Sequence, residues 1–159
     1  MKTPPITVRR WVRFETTLPD DHIEDENDIV QFGGKTVAEE IAKIISRLGW
    51  APDDVEYGGE HGWWFTVNVG GHFNYCQVTL IGDFFLLMDG KPFFGWFRKR
   101  PNLPYFDLLT KFAEELERDP RFSKVTWHTD DTVELGKNGA TRPIGPADVL
   151  LDRDSWQGT

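Results

Sequence analysis

The sequence predicts an α+β fold: a mostly antiparallel sheet of five or six strands with two helices on one face, followed by a loop-rich C-terminal tail. Two segments, 36–48 and 103–118, repeat apolar residues at helical spacing. Between them, runs of β-branched and aromatic residues are separated by closely spaced glycine turns, which describes a meander of hairpins. The resulting order, β-α-β-β-β-β-α-β, is a split β-α-β pattern with an enlarged central meander.

Length and composition fit one domain. A chain of 159 residues can bury a sizeable core, and we expect only its two ends, 1–5 and 136–159, to be loosely structured. The single cysteine, Cys76, excludes an internal disulfide and a cysteine-built zinc site. No apolar run reaches the length of a membrane helix and the N-terminus lacks a signal-peptide core, so we expect a cytoplasmic protein without membrane contact.

The first strand is expected over 6–18, where Val12 and Phe14 share an apolar face and Trp11 lies on the other face. The segment DDHIEDEND, 20–28, is expected to be a loop, because closely spaced like charges repel one another.

The first helix is predicted to begin at a capping box, Thr36 to Glu39, and to end before Gly49. The second helix ends before Asp119-Pro120. The predicted strands beyond the first helix are 62–69, 74–81, 84–88, 93–99 and 124–129.

Adjacent tryptophans, Trp63 and Trp64, begin the second strand. Neighbours on a strand point to opposite faces, so only one of them can enter the core beneath the helices. We expect Trp64, together with Trp96, on the face without helices, where aromatic side chains are typical of a recognition surface. The alternatives are that the C-terminal tail covers these two tryptophans, or that a second copy of the chain covers them in a homodimer.

The acidic segment holds six carboxylates and neither lysine nor arginine: Asp20, Asp21, Glu24, Asp25, Glu26 and Asp28. With a net charge of −8, this distribution opposes binding to a nucleic-acid backbone and favours docking to a basic protein. The alternatives are a purely solubilising role, or neutralisation by arginines of the same chain, such as Arg10, Arg13 or those in 98–100.

A second candidate site surrounds Glu60 and His61, with His72 and Trp63 added from nearby turns and strands. A carboxylate beside an imidazole can perform general acid–base chemistry, so these four residues could line a pocket for a small molecule or a substrate. The histidines lack metal-ligand spacing, and Gly33-Gly34-Lys35-Thr36 lacks the leading glycine of a phosphate loop. We therefore expect no metal and no cofactor.

The layout, with EHGWWFTV in a meander and a helix running into DPRFSKVTWHT, resembles small uncharacterised bacterial α+β proteins in the style of immunity proteins of polymorphic toxin systems. This resemblance implies a non-enzymatic module that binds another protein, in its specific form an inhibitor of a basic bacterial toxin. The alternatives are the small-molecule binder or enzyme outlined above, and a protein that self-assembles through its open sheet face.

Overall fold

The computed structural model of the chain describes residues 6–90, 103–134 and 139–146. The predicted strand 93–99, with Trp96, lies outside these residues. The helices are α1 (Lys35–Arg47), α2 (Leu103–Arg118) and α3 (Asp130–Glu134), with a 3₁₀ turn over Gly59–His61. The strands are β1 (Ile6–Val8), β2 (Trp11–Thr16), β3 (Ile23–Glu24), β4 (Ile29–Gln31), β5 (Glu56–Tyr57), β6 (Trp63–Val69), β7 (His72–Ile81), β8 (Asp83–Asp89), β9 (Phe122–His128) and β10 (Ile144–Pro146).

The main sheet has six strands in the order β5-β6-β7-β8-β2-β9, and every neighbouring pair is antiparallel. Its register aligns one buried row across the central strands: Trp63, Val78, Leu86, Val12 and Trp127. The predicted fold class is confirmed: the described residues form an α+β domain around an antiparallel sheet.

The predicted first strand is divided at Arg9. β1 leaves the main sheet and pairs with β10, while β2 continues between β8 and β9. At the division, the Arg9 backbone N–H donates to Pro143 at 2.7 Å and its guanidinium donates to the carbonyl of Arg142 at 3.2 Å. The alternation of apolar residues in the sequence could not show this break, because the residues that bind Arg9 lie more than 130 positions away in the chain.

The two long helices cover one face of the sheet. The apolar stripe of α1 is fully buried, as is that of α2, and both meet the inward side chains of the central strands. The Tyr105 hydroxyl on α2 donates to the carbonyl of Met88 on β8 at 2.6 Å, so helix and sheet are also joined by a buried hydrogen bond. Burial of such large side chains supplies most of the stabilisation, at about 1.5–3 kcal/mol each.

The prediction of a loop over 20–28 is wrong in part, because β3 and β4 pair there as a short hairpin. The β-branched residues Ile23, Ile29 and Val30 provide the strands. The Asp25 carboxylate builds the turn by accepting hydrogen bonds of 2.9 Å from the backbone N–H groups of Asn27 and Asp28. Turn formation by an aspartate outweighs charge repulsion at this point. We call residues 20–31 the acidic hairpin.

The predicted capping box does not form at α1. The N-cap residue is Gly34, with φ of 118° and no side-chain cap of its own. The Oδ2 atom of Asp21 instead accepts a hydrogen bond from the backbone N–H of Thr36 at 2.7 Å. The acidic hairpin therefore supplies the cap of the first helix.

Among the described residues, the main sheet ends at β5 and at β9, and both of these outer strands are irregular. β5 contains two residues, and the pairing of β9 with β2 shifts between Arg13 and Glu15. Lys124, within β9, has a positive φ of 52°. Among the described residues, no helix is both long and apolar enough to span a membrane.

Candidate functional site

The two adjacent tryptophans point to opposite sides of β6. Trp63 is 8% exposed on the helix side and its indole Nε1 donates to the carbonyl of Phe32 at 2.9 Å. Trp64 is half-buried on the other side, where its ring stacks on Tyr75 with centroids 5.6 Å apart. We call this other side of the sheet the open face.

The open face carries a cleft of about 620 Å³. The 3₁₀ turn forms one wall and α3 forms the other, while strands β2, β7 and β8 provide the floor. The lining residues are Arg10, Trp11, Glu60, His61, Gln77, Thr79, Ile81, Phe85, Asp130 and Val133. The volume is in the range of ordinary ligand sites.

A chain of hydrogen bonds runs along the floor of the cleft. The Tyr75 hydroxyl donates to Gln77 Oε1 at 2.9 Å, Gln77 Nε2 donates to Thr79 Oγ1 at 3.0 Å, and Thr79 Oγ1 donates to the carbonyl of His61 at 3.0 Å. Partial burial raises the pKa of Tyr75, so its hydroxyl stays protonated as the first donor. This chain fixes the Gln77 amide and attaches the 3₁₀ turn to the sheet.

The opposite wall is held by Asp130. Its carboxylate accepts from Arg10 at 2.8 and 2.9 Å and from the Trp11 indole at 2.7 Å. The hydrogen bond from Arg10 is the main reason that the pKa of Asp130 lies below its usual value. Arg10 also forms an ion pair with Asp89 at 3.0 Å. The wall is thus a fixed network whose arginine is compensated by two carboxylates.

The structure brings together only part of the second sequence-predicted site. Glu60 and His61 line the cleft. His72 begins β7, seven residues from Thr79, which places it about 23 Å away at the usual rise of a strand. Trp63 points to the helix side. The four residues therefore do not form one pocket, and Trp11, Phe85 and Asp130 complete the cleft instead. Sequence spacing gives little sign of these three, because they come from segments distant in the chain.

The histidines do not assemble into a metal centre. Within the described ranges, no group of three or more His, Cys, Asp or Glu side chains is placed to hold a metal ion. His128 is 2% exposed in β9, where its Nε2 is 2.8 Å from Thr126 Oγ1 and its Nδ1 has no hydrogen-bond partner in the described part of the chain. Burial, with a smaller contribution from Arg13, lowers the pKa of His128 to about 4.

The acidic hairpin is a separate surface on the β5 side of the sheet. The Phe32 backbone N–H donates to the Tyr57 hydroxyl at 3.0 Å, and the Phe32 carbonyl accepts from the Trp63 indole. Tyr57 also packs its ring against Trp63 at 4.7 Å. The hairpin is therefore anchored to the helix side, whereas Trp64 lies on the open face. The two sequence-predicted parts of a partner surface are not continuous, and Trp96 lies outside the described residues.

The hairpin carboxylates lack lysine and arginine partners within the described part of the chain. None of the six forms an ion pair with a described lysine or arginine, and the Glu24 carboxylate lies 2.9 Å from His22 Nε2. Two of the arginines considered as counter-ions pair elsewhere: Arg10 with Asp130, and Arg13 with Asp83. Those in 98–100 lie outside the described residues. The backbone N–H groups of its turn lower the pKa of Asp25, so this fully exposed carboxylate is charged at neutral pH.

Exposed apolar side chains accompany these charges. Ile23 is 49% exposed, Ile29 38% and Val30 57%. The hairpin therefore presents apolar surface within a dense negative field, a combination that sequence charge counting did not show.

Comparison with known proteins gives no match: no family model, no curated protein and no solved structure is similar to this chain. The proposals that follow are built on the geometry of the described residues.

Proposed function

We propose that this protein is a non-enzymatic protein-binding module whose acidic hairpin docks a basic partner protein. The observation that carries the proposal is the set of six carboxylates that have no lysine or arginine partner among the described residues. A dense negative patch accelerates the encounter with a positive surface and opposes wrong partners of like charge.

The exposed apolar residues of the hairpin are expected to slow dissociation of the partner, which charge alone does not do. Charges at a solvated rim contribute mainly to the rate of association, whereas residence depends on apolar groups that lose contact with water. Burying the exposed parts of Ile23, Ile29 and Val30 would contribute on the order of 2–4 kcal/mol of binding free energy. A partner with a basic rim around an apolar groove fits this surface.

The hairpin is also held in one conformation before a partner arrives. The Gln31 side-chain amide donates to the carbonyl of Asp21 at 2.7 Å, and Phe32 is fixed from both sides by Tyr57 and Trp63. A surface that is ordered in advance loses less conformational entropy on binding. We therefore expect the hairpin to bind as a rigid element.

The specific form of the proposal is an immunity-type inhibitor of a basic toxin. It follows from the resemblance in layout and from the charge of the hairpin. In this form, an equimolar amount of the wild-type chain suppresses the activity of the captured partner, and hairpin variants suppress it less.

The test is a comparative capture experiment with matched charge variants. Wild-type protein is immobilised beside a variant that carries Glu24→Gln, Glu26→Gln and Asp28→Asn, and each is exposed to native lysate. A control variant carries Glu39→Gln, Glu114→Gln and Glu117→Gln, which removes three exposed acids from the helices. Captured proteins are quantified by mass spectrometry, and binding of each purified candidate is then measured at two salt concentrations.

We expect at least one basic protein whose recovery falls by about tenfold with the hairpin variant and is unchanged with the control, since three lost charge contacts of about 0.5 kcal/mol each give roughly that factor. A further variant, Val30→Ser, separates the apolar contribution and is expected to speed dissociation. If wild type, hairpin variant and control recover the same proteins in equal amounts, the hairpin is not the docking surface.

A further inference from the structure

We propose that the cleft on the open face binds a small organic cation with a flat apolar body, of the arylamidinium or arylammonium class. This site is on the opposite side of the sheet from the acidic hairpin anchor, and the proposal stands independently of the partner-binding function.

The first argument is the shape and apolar character of the floor. Two aromatic rings, Trp11 and Phe85, come from adjacent strands β2 and β8, and the aliphatic side chains of Ile81 and Val133 lie at the margins. Ile81 is 71% exposed, a large fraction for an apolar residue on a sheet face. Aromatic faces attract organic cations by about 0.5–2 kcal/mol. The Phe85 ring already has the Arg13 guanidinium 5.8 Å from its centre, so Trp11 is the main aromatic face for the cationic head, and a flat apolar body makes use of the remaining surface.

The second argument is charge. Among the lining carboxylates and the lining arginine, one net negative charge remains, since Arg10 is offset by Asp130 and the Glu60 carboxylate is left over. Glu60 is exposed and forms no hydrogen bond or ion pair with another described residue. A carboxylate near aromatic rings favours a cationic ligand over a neutral or anionic one of the same shape.

The third argument is the balance of hydrogen-bonding groups. The floor chain already uses the Tyr75 and Thr79 hydroxyl protons and one Gln77 N–H, and Asp130 holds the Trp11 indole N–H. The carboxylate of Glu60 keeps its acceptor capacity. This free carboxylate suits the N–H-rich head of an amidinium ion.

The cleft also needs little rearrangement to receive a ligand. Thr79 fixes the 3₁₀ turn through the His61 carbonyl, and Arg10 and Trp11 fix the start of α3 through Asp130. Both walls are thus joined to the same sheet by hydrogen bonds. A rigid, flat ligand is favoured, because neither partner loses much conformational freedom.

Isothermal titration with three isosteric probes tests the proposal: benzamidine is cationic, benzamide is neutral and benzoate is anionic. We expect measurable binding of benzamidine at millimolar concentrations, weaker binding of benzamide and none of benzoate. Glu60→Gln is expected to weaken benzamidine binding roughly three- to tenfold and to leave benzamide unchanged. NMR chemical-shift changes are expected at the Gln77 side-chain amide and the Trp11 indole.

Two controls separate a cleft contact from a general charge effect. Glu39→Gln, on α1, and the triple hairpin variant described above both leave the benzamidine affinity at the wild-type value. Phe85→Leu keeps an apolar side chain, removes the ring, and is expected to weaken benzamidine binding about threefold or more.

Any of four results would overturn the proposal. The first three are the absence of benzamidine binding at millimolar concentrations, equal or tighter binding of benzoate, and a benzamidine affinity that is the same in Glu60→Gln as in wild type. A loss of affinity in the hairpin variant equal to that in Glu60→Gln would also contradict it, because long-range charge would then explain both. Loss of partner capture in the earlier experiment does not bear on these results.

Discussion

The carboxylate of Asp21 accepts a hydrogen bond from the backbone N–H of Thr36 over 2.7 Å, and this contact joins the acidic hairpin to the first turn of α1. A negative group at this position satisfies an otherwise unpaired N–H and interacts favourably with the positive end of the helix. Asp21 therefore stabilises the start of α1, whereas the carboxylate of Glu26, which forms no hydrogen bond or ion pair with another described residue, does not.

Asp21→Ala is expected to lower the free energy of unfolding by about 1 kcal/mol or more, because the helix cap is lost and because alanine adopts the positive φ of 62° at this position less readily than aspartate. Glu26→Ala is expected to change it by less than about 0.5 kcal/mol, since it is an exposed side chain without a partner. Urea denaturation followed by circular dichroism measures both. Equal losses in the two variants would show that the Asp21 contact is not a cap.

The buried His128 is expected to make the protein less stable as the pH falls from about 6.5 towards about 4. The folded state holds this imidazole neutral, with its pKa lowered to about 4, while the unfolded chain binds a proton near the ordinary value of 6.5. Between these values the unfolded state binds more protons, so protonation favours unfolding.

In His128→Gln this component of the pH dependence is expected to disappear. Urea unfolding of the two proteins at several pH values gives the comparison, and NMR titration of the His128 ring locates its pKa directly. Parallel stability curves for wild type and variant across this interval would contradict the prediction.

Cys76 is expected to be unreactive in the folded protein. Its side chain is fully buried, and burial raises the pKa of its thiol to about 12, so both access and thiolate formation are suppressed. Ellman's reagent at mildly alkaline pH should detect no thiol in the native state and one per chain in urea. Rapid native labelling would mean that β7 opens readily.

Gly62→Ala is expected to destabilise the fold by about 3 kcal/mol, from a positive φ combined with a collision. Gly62 has φ of 86°, and a Cβ there would meet the backbone carbonyl of Val78. Gly71 provides the matched control, because it has the same φ of 86° but open space around it.

Gly71→Ala is expected to cost only about 1 kcal/mol, the backbone component alone. Thermal and urea unfolding of both variants give the difference. If the two variants lose the same free energy of unfolding, the close approach of Gly62 to β7 does not constrain the 3₁₀ turn.

Patterns within short stretches of sequence predicted the main elements well. The stripe Val37, Ile41, Ile44 and Ile45 placed α1 within one residue of its observed bounds, and alternation placed Trp63 and Trp64 on opposite faces of β6. These features depend on local periodicity, which an isolated sequence contains.

Features that depend on distant contacts were missed. The break at Arg9 requires Arg142 and Pro143, and the cap of α1 comes from Asp21 rather than from its own first turn. The cleft combines residues from four separated segments. The turn at Asp25 was missed for another reason, because counting charges overlooks a carboxylate that bonds its own backbone.

The irregular outer strands of the main sheet have a consequence for behaviour at high concentration. An extended, regular outer strand would offer its unpaired backbone groups as a template on which other chains could stack into fibrils. Here β5 contributes only two residues and β9 carries a register shift and a left-handed Lys124, so neither border matches a straight incoming strand. These distortions protect a sheet with an accessible aromatic face from uncontrolled lateral growth.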